Sequence, residues 1–134
     1  MFFGDKDEKE NFNKIAALLI HAARIDQDFS AEEERIIEKT LSQIGVKKEN
    51  IKEVVKEGKK IESDSNQILE FTKQVKKMRE SDKLEIIKSL WKIIYSNNEA
   101  DVYETGLMRR LAGLLYIDSK TMGDIKEDIK NKKI

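Results

Sequence analysis

Apolar residues recur at steps of three and four along most of the chain, which is the period of an amphipathic α-helix. The pattern begins in "NFNKIAALLIHAAR" and predicts a first helix from about Asn11 to Arg24. Polar interruptions at "IDQDFS", "ESDSNQ", "SNNEAD" and "YIDS" divide the remainder into further helices. The pattern therefore predicts an all-α fold of about seven helices.

Three glycines and the single tryptophan allow more detailed predictions about these helices. Gly45 suits the left-handed backbone at the end of the second helix, and the third helix carries a short apolar stripe that ends near Gly58. Gly113 lies inside the sixth helix, where glycine costs ~1 kcal/mol relative to alanine, so we expect two helices to cross closely there. The helix that opens at Ser81 carries Trp91 on its apolar face, which predicts a core position.

Composition narrows the classes of function. The chain has 134 residues, no proline, no cysteine and one histidine, and 39% of its residues are charged. This length suits a single domain, and a tetrahedral zinc site is not expected, so any metal would need oxygen ligands. Because lysine plus arginine equals aspartate plus glutamate at 26 each, no net field attracts nucleic acid, and a nucleic-acid partner is not expected.

The two ends of the chain are expected to lie outside the folded domain. We predict an N-terminal extension over residues 1–10, a single helical domain over residues 11–130 and a basic tail over residues 131–134. The start "MFFGDKDEKE" lacks the features of a signal peptide, and no apolar run approaches the ~20 residues that span a bilayer. A cytoplasmic location is therefore expected. Phe2 and Phe3 allow at most peripheral membrane association, and docking on the domain's own surface or simple disorder explains them better.

An internal repeat relates two parts of the chain. The segment "ARIDQDFSAEEERIIEKTLSQIGV" aligns with "IYSNNEADVYETGLMRRLAGLLYI" at a constant offset of 71 residues. Apolar positions keep the register, since Ile36 falls on Leu107 and Ile44 on Leu115. The alignment predicts two helical hairpin halves related by a pseudo-two-fold axis, with their polar loops in equivalent positions.

The repeated polar loops supply the candidate metal ligands. Their carboxylate and amide groups are Asp26, Asp28, Glu33, Asn97, Glu99, Asp101 and Glu104. Alternating oxygen donors in a short loop suit Ca²⁺ or Mg²⁺. The spacing is not that of an EF-hand, which needs a central glycine and a closing glutamate at positions that these loops do not supply.

Helix capping is the alternative explanation for these carboxylates. Ser30 and Asp101 are expected N-caps, and Glu33 and Glu104 would complete two capping boxes. Capping does not account for the carboxylates that precede the caps, which are Asp26, Asp28 and Glu99. If the loops approach each other, each close pair costs about 4 kcal/mol at ~4 Å and an effective dielectric constant of ~20. Either the loops stay apart in solvent or a cation joins them.

Most of the chain resembles the TerB family of tellurite-resistance-associated domains. The likeness is carried by "AALLIHAARIDQDFSAEEERII" and by "EFTKQVKKMRESDKLEIIKSLWKIIYSNNEADVYETGLMRRLAGLL". It implies a seven-helix bundle with pseudo-two-fold halves, a divalent cation held by acidic residues, and a role as an interaction module in envelope-linked stress systems. The chain differs from the Asp-Gly pairs of the family at Gln27 and at Asn97-Asn98, which makes the first loop the better half of the site.

These observations predict a non-enzymatic interaction module that binds Ca²⁺ or Mg²⁺ and a protein partner. One alternative is a metal-free adaptor in which the loops act only as caps. Another is a metal-dependent hydrolase, which would need a deep pocket beside Asp26, but no nucleophile–base pair, phosphate loop or H-E-x-x-H motif occurs. His21 is expected at the surface, and Arg109-Arg110 on a solvated helix face or paired with the acidic loops.

Overall fold

The computed structural model describes residues 6–25, 29–64, 69–97 and 102–131. Within these ranges the chain forms seven α-helices and one 3₁₀ turn: α1 Lys6–Ala23, α2 Ala31–Gln43, α3 Lys48–Ser63, α4 Leu69–Lys76, α5 Glu80–Ile94, the turn Tyr95–Asn97, α6 Val102–Leu114 and α7 Ser119–Lys130. The described ranges contain no strand, and the predicted all-α class is confirmed. No helix in this part of the chain combines the length and the apolar character that a membrane crossing requires.

The first helix, α1, lies at the centre of the bundle. It packs against α2, α3, α4 and α5, and most of its residues from 12 to 23 are buried. A helix that is apolar on nearly every side is stable only when it is enclosed, and "IAALLIHAA" meets that description. The helix begins at Lys6, earlier than the predicted Asn11, because the charged segment before Asn11 favours helix without any apolar periodicity.

The closest helix crossing lies between α1 and α3, at Gly58. A Cβ atom at Gly58 would lie 2.8 Å from the Cβ atom of Ala16 and 3.1 Å from the backbone nitrogen of Ala17. Gly58 lies within α3, which continues to Ser63. The prediction of a close crossing at Gly113 is wrong, since a Cβ atom there meets nothing within 4 Å.

The helices α2 and α6 end with the same backbone hydrogen bonds. The Val46 N–H donates to the Leu41 carbonyl at 2.9 Å, and the Ile117 N–H donates to the Ala112 carbonyl at 2.9 Å. Gly45 has the predicted positive φ of 116°. At the same offset of 71 residues stands Tyr116, with φ 57°. A residue with a side chain is unfavourable in this left-handed region of backbone conformation. The Tyr116 ring contacts a cation, since the Lys76 Nζ atom lies 4.6 Å from its centre.

The N-terminus of α7 is capped by Asp118. Its Oδ1 atom accepts the backbone N–H of Thr121 at 2.7 Å, and its Oδ2 atom accepts the Thr121 hydroxyl at 3.0 Å. These hydrogen bonds stabilise the charged carboxylate and hold the pKa of Asp118 below its ordinary value. The cap thus immediately precedes Ser119, the first residue of α7.

Because the pKa of Asp118 is lower in the folded chain, its contribution to stability is complete above the unfolded pKa of ~3.9 and is lost as the pH falls through the folded pKa. We expect Asp118→Ala to be less stable than the parent at neutral pH, with a difference that shrinks in acid. Urea unfolding at a series of pH values measures this. Asp118→Asn keeps an acceptor for the cap and serves as the control. A difference between parent and Asp118→Ala that does not change with pH would contradict the assignment.

Candidate functional site

The structure describes only part of the predicted cation site. Four of the predicted ligands lie outside the described residues: Asp26, Asp28, Glu99 and Asp101. Asn97 is the last residue of the 3₁₀ turn, and only its backbone is described. Side-chain geometry is therefore available for Glu33, Ser30 and Glu104, at the first turns of α2 and α6. The predictions for the other ligands remain predictions.

Ser30 and Glu33 form the predicted capping box. Ser30 has an extended backbone, with φ −81° and ψ 162°. Its hydroxyl oxygen accepts the Glu33 backbone N–H at 3.1 Å, and its own backbone N–H donates to Glu33 Oε1 at 2.8 Å. Two amides that the first turn of a helix leaves without intrahelical partners are satisfied in this way. The capping role of Ser30 and Glu33 is confirmed.

Both described glutamates of the site are buried. Glu33 is 4% exposed and Glu104 is 3% exposed, and they are separated by the repeat offset of 71 residues. Each lies in the first turn of its helix, where the helix dipole favours a negative charge. Burial of a carboxylate is unfavourable unless hydrogen bonds or charges compensate for it. Both positions, which the predicted repeat aligns, thus hold a buried carboxylate whose charge is compensated by interactions within the chain.

The buried Glu104 lies in the electrostatic environment of Tyr95. Burial raises the pKa of Tyr95 above its ordinary value, and the charges of Glu127 and Glu104 raise it further. The Tyr95 ring stacks on Trp91, with ring centres 5.9 Å apart. The second half of the site is therefore connected, through Tyr95, to the aromatic part of the core.

A network of charged side chains surrounds the entrance to α2 and was not predicted. Arg24 Nη1 donates to Glu62 Oε1 at 2.6 Å, and His21 Nδ1 lies 3.3 Å from Glu62 Oε2. The predicted surface position of His21 agrees with its side chain being 30% exposed. Arg24 and Glu62 are 38 residues apart, so no local pattern in the sequence could identify this pair.

Two cations face the aromatic ring that precedes the cap of α2. The guanidinium carbon of Arg24 lies 6.0 Å from the centre of the Phe29 ring, and the Lys59 ammonium lies 5.2 Å from it. Lys59 also donates to Glu34 at 2.9 Å. The prediction of electrostatic crowding considered carboxylates only. The structure adds positive charge at the same entrance, which reduces the repulsion that a bound cation would have to relieve.

The described part of the chain contains no group of three or more histidine, cysteine, aspartate or glutamate side chains arranged to hold a metal ion. A complete site would therefore require residues of the two loops that lie outside the described ranges. Carboxylate and amide oxygens remain the appropriate donors for Ca²⁺ or Mg²⁺. Within the described ranges, Glu33 and Glu104 are the predicted ligands whose burial is established.

Comparison with known proteins identifies one family. The family model described as tellurite resistance protein TerB matches residues 13–127, which is most of the chain. No significant match was found among curated proteins or among solved structures.

Proposed function

The chain belongs to the tellurite resistance protein TerB family, and from this premise we propose that it is a non-catalytic interaction domain that binds a divalent cation. The cation is Ca²⁺ or Mg²⁺, held by oxygen atoms of the two loops that precede α2 and α6. In the proposed role, the domain presents a surface to a protein partner in a stress-response or envelope-associated system of the tellurite-resistance type.

The burial of Glu33 and Glu104 is the observation that carries this proposal. One oxygen of Glu33 accepts the Ser30 amide. Asp26 and Asp28 precede α2, and Glu99 precedes α6. A cation would be bound by these groups and by the remaining predicted ligands, Asn97 and Asp101, in addition to the interactions that Glu33 and Glu104 already make within the chain.

The proposed equivalence of the two halves is supported by the way in which α2 and α6 end. The backbone hydrogen bonds that end α2 and α6 are related by the same offset of 71 residues as the predicted ligands. The two helices end in the same way, and we expect their preceding loops to be presented similarly because those loops align in the sequence. A cation between the loops would then hold one hairpin against the other and shape the surface for a partner.

A metal-free adaptor is the second candidate function, and two observations favour it. The capping box satisfies the first turn of α2 without an ion. Arg24 and Lys59 bring positive charge to Phe29, at the entrance to the same helix. In this alternative the loops serve as helix caps, and the partner binds a surface that does not change with metal concentration.

A metal titration with thermal melting distinguishes the two functions. Saturation with Ca²⁺ or Mg²⁺ is expected to stabilise the parent chain by about 2.7 kcal/mol at a concentration ~100 times the dissociation constant. The double variant Asp26→Asn, Asp28→Asn is expected to lose this shift, because its amides retain oxygen donors but not their charge. The double variant Glu49→Gln, Glu53→Gln changes two exposed carboxylates of α3 and is the matched control.

The control variant should melt like the parent at every metal concentration. An equal shift in the parent and in both double variants would indicate non-specific binding to surface carboxylates and would contradict the proposed site. If the parent shows no shift with Ca²⁺, Mg²⁺ or Mn²⁺, the metal-free adaptor is the correct function.

A further inference from the structure

A shallow groove lies between α6 and α7, on the side of the bundle where both helices cover α5. Its volume is about 220 Å³. Four apolar side chains, contributed by all three helices, line it: Trp91, Met108, Ala112 and Met122. The Trp91 indole N–H donates to the Met122 sulfur at 3.3 Å, which fixes the ring in the floor. Gly123 adds no side chain, and a Cβ atom there would meet nothing within 4 Å.

The rim of this groove is positively charged. Arg109 of α6 and Lys126 of α7 line it, and the other lining residues are all uncharged. Neither cation forms an ion pair with any residue that the structure describes. Lys126 instead places its ammonium 5.5 Å from the centre of the Trp91 ring. In a chain with no net charge, this is a local excess of positive charge beside an apolar floor.

A second groove of the bundle differs from this one in the ion pairing of the charges that line it. The cavity between α2 and α3 has a similar volume of about 230 Å³ and is lined by three lysines and two glutamates. Both of its glutamates are paired with lysines, because Lys59 contacts Glu34 at 2.9 Å and Lys52 contacts Glu38 at 3.8 Å, and Lys56 is the one described lining residue whose charge has no such pair. The cations of the groove between α6 and α7 have no such partners and remain available to a ligand.

The size of the groove limits what can occupy it. A volume of about 220 Å³ is below the ~300–1,000 Å³ typical of small-molecule pockets and suits one large side chain of a peptide. Two methionines in the lining can adapt to different apolar side chains. Two cations are too few for a nucleic acid, whose binding depends on many phosphate contacts, and too few for stable attachment to an anionic membrane.

We propose that this groove binds an acidic peptide segment of a protein partner. One large apolar side chain of the segment inserts over Trp91, and neighbouring carboxylates pair with Arg109 and Lys126. Charge complementarity selects an acidic segment, and the apolar floor anchors it. The proposal rests on the interaction role of the proposed function, but it does not require the cation site.

Selection from a display library of random short peptides, with the parent chain as bait, tests the proposal without assuming a partner. The selected peptides are expected to be acidic and to share one large apolar residue. Their affinities are measured through the fluorescence of Trp91, the only tryptophan of the chain. Because Trp91 lies in the floor of the groove, occupancy is expected to change its emission, and added salt is expected to weaken binding.

Two variants report on the two parts of the groove. Arg109→Glu reverses an exposed charge on the rim and is expected to raise the dissociation constant at least about tenfold. Gly123→Leu places a side chain in the empty space above the floor and is expected to weaken binding to a similar extent. Gly106→Leu is the matched control, because Gly106 is also helical with open space around it but does not line the groove.

The proposal is overturned if the library yields no acidic enrichment, or if Arg109→Glu binds the selected peptides as well as the parent does. Groove-dependent binding of an oligonucleotide or of phosphatidylserine vesicles, without peptide binding, also overturns it. If Gly123→Leu does not fold, Arg109→Glu decides the outcome, since its side chain is outside the core. Peptide binding that persists in EDTA and in Asp26→Asn, Asp28→Asn separates the groove from the cation site, so each can fail independently.

Discussion

Replacing Trp91 with alanine is expected to lower the free energy of unfolding by about 3–5 kcal/mol. Trp91 is 2% exposed. Its ring stacks on Tyr95 and its indole N–H donates a hydrogen bond to the sulfur of Met122 in α7. Removal of the ring leaves a cavity that the neighbouring helices can fill only in part. Since the stability of a domain is about 5–15 kcal/mol, at least about a fifth of it would be lost. Urea unfolding followed by circular dichroism measures the change.

The matched control is Tyr103→Ala. Tyr103 is 78% exposed, and alanine is the better helix former, so this substitution is expected to leave stability unchanged or to raise it slightly. A cost below about 1 kcal/mol for Trp91→Ala, or a similar cost for the two aromatic substitutions, would contradict the position of Trp91 between α5 and α7.

The same substitution is expected to have opposite effects at two helical glycines. Gly58→Ala should lower the free energy of unfolding by about 1–2 kcal/mol, because the new Cβ atom would lie 2.8 Å from the Cβ atom of Ala16 and overpacking exceeds the gain in helix propensity. Gly113→Ala should raise it by about 0.5–1 kcal/mol, since its Cβ atom enters open space. Urea unfolding of the two variants and the parent under one set of conditions gives both differences.

This pair of glycine variants controls for helix propensity, since both positions lie inside helices. The sign of each change in the free energy of unfolding therefore reports the packing around that glycine. Stabilisation by Gly58→Ala would show that α1 and α3 do not approach as closely as the structure places them. Destabilisation by Gly113→Ala would show that the outer face of α6 is covered.

The two proposed sites have different relations to the core. The proposed cation site would lie at the beginnings of α2 and α6, where the predicted ligands Glu33 and Glu104 are buried. The peptide groove lies along α6 and α7, with Trp91 in its floor. Trp91 stacks on Tyr95, whose pKa is raised in part by Glu104. The charge of Glu104 thus acts on Tyr95, whose ring stacks on Trp91 in the floor of the groove.

Local rules accounted for the features that depend on neighbours in the chain. The helical class follows from apolar periodicity, and the cap of α2 follows from Ser30 and Glu33, which are three residues apart and form both predicted hydrogen bonds. Gly45 likewise has the positive φ that its position predicts. Each of these features is determined within about one helical turn, where sequence spacing and spatial distance are nearly equivalent.

The candidate site was only partly predictable. Glu33 was identified as a cap and as a candidate ligand, and its burial agrees with either role. The cations around Phe29 were not identified, because Lys59 reaches that ring from α3. The groove between α6 and α7 was also not identified. Its rim residues, Arg109 and Lys126, come from separate helices. The apolar periodicity of one helix does not show which residues of another helix lie beside it.

The sequence by itself determined that this chain forms helices, where several of them begin and end, and which family it belongs to. Only the tertiary structure decided which glycine permits a close crossing, which cations lie near the head of α2 and which side chains share a groove. The physical reason is that helix formation depends on hydrogen bonds between near neighbours. Contacts between helices depend on crossing angles and distances that all the packed side chains determine together.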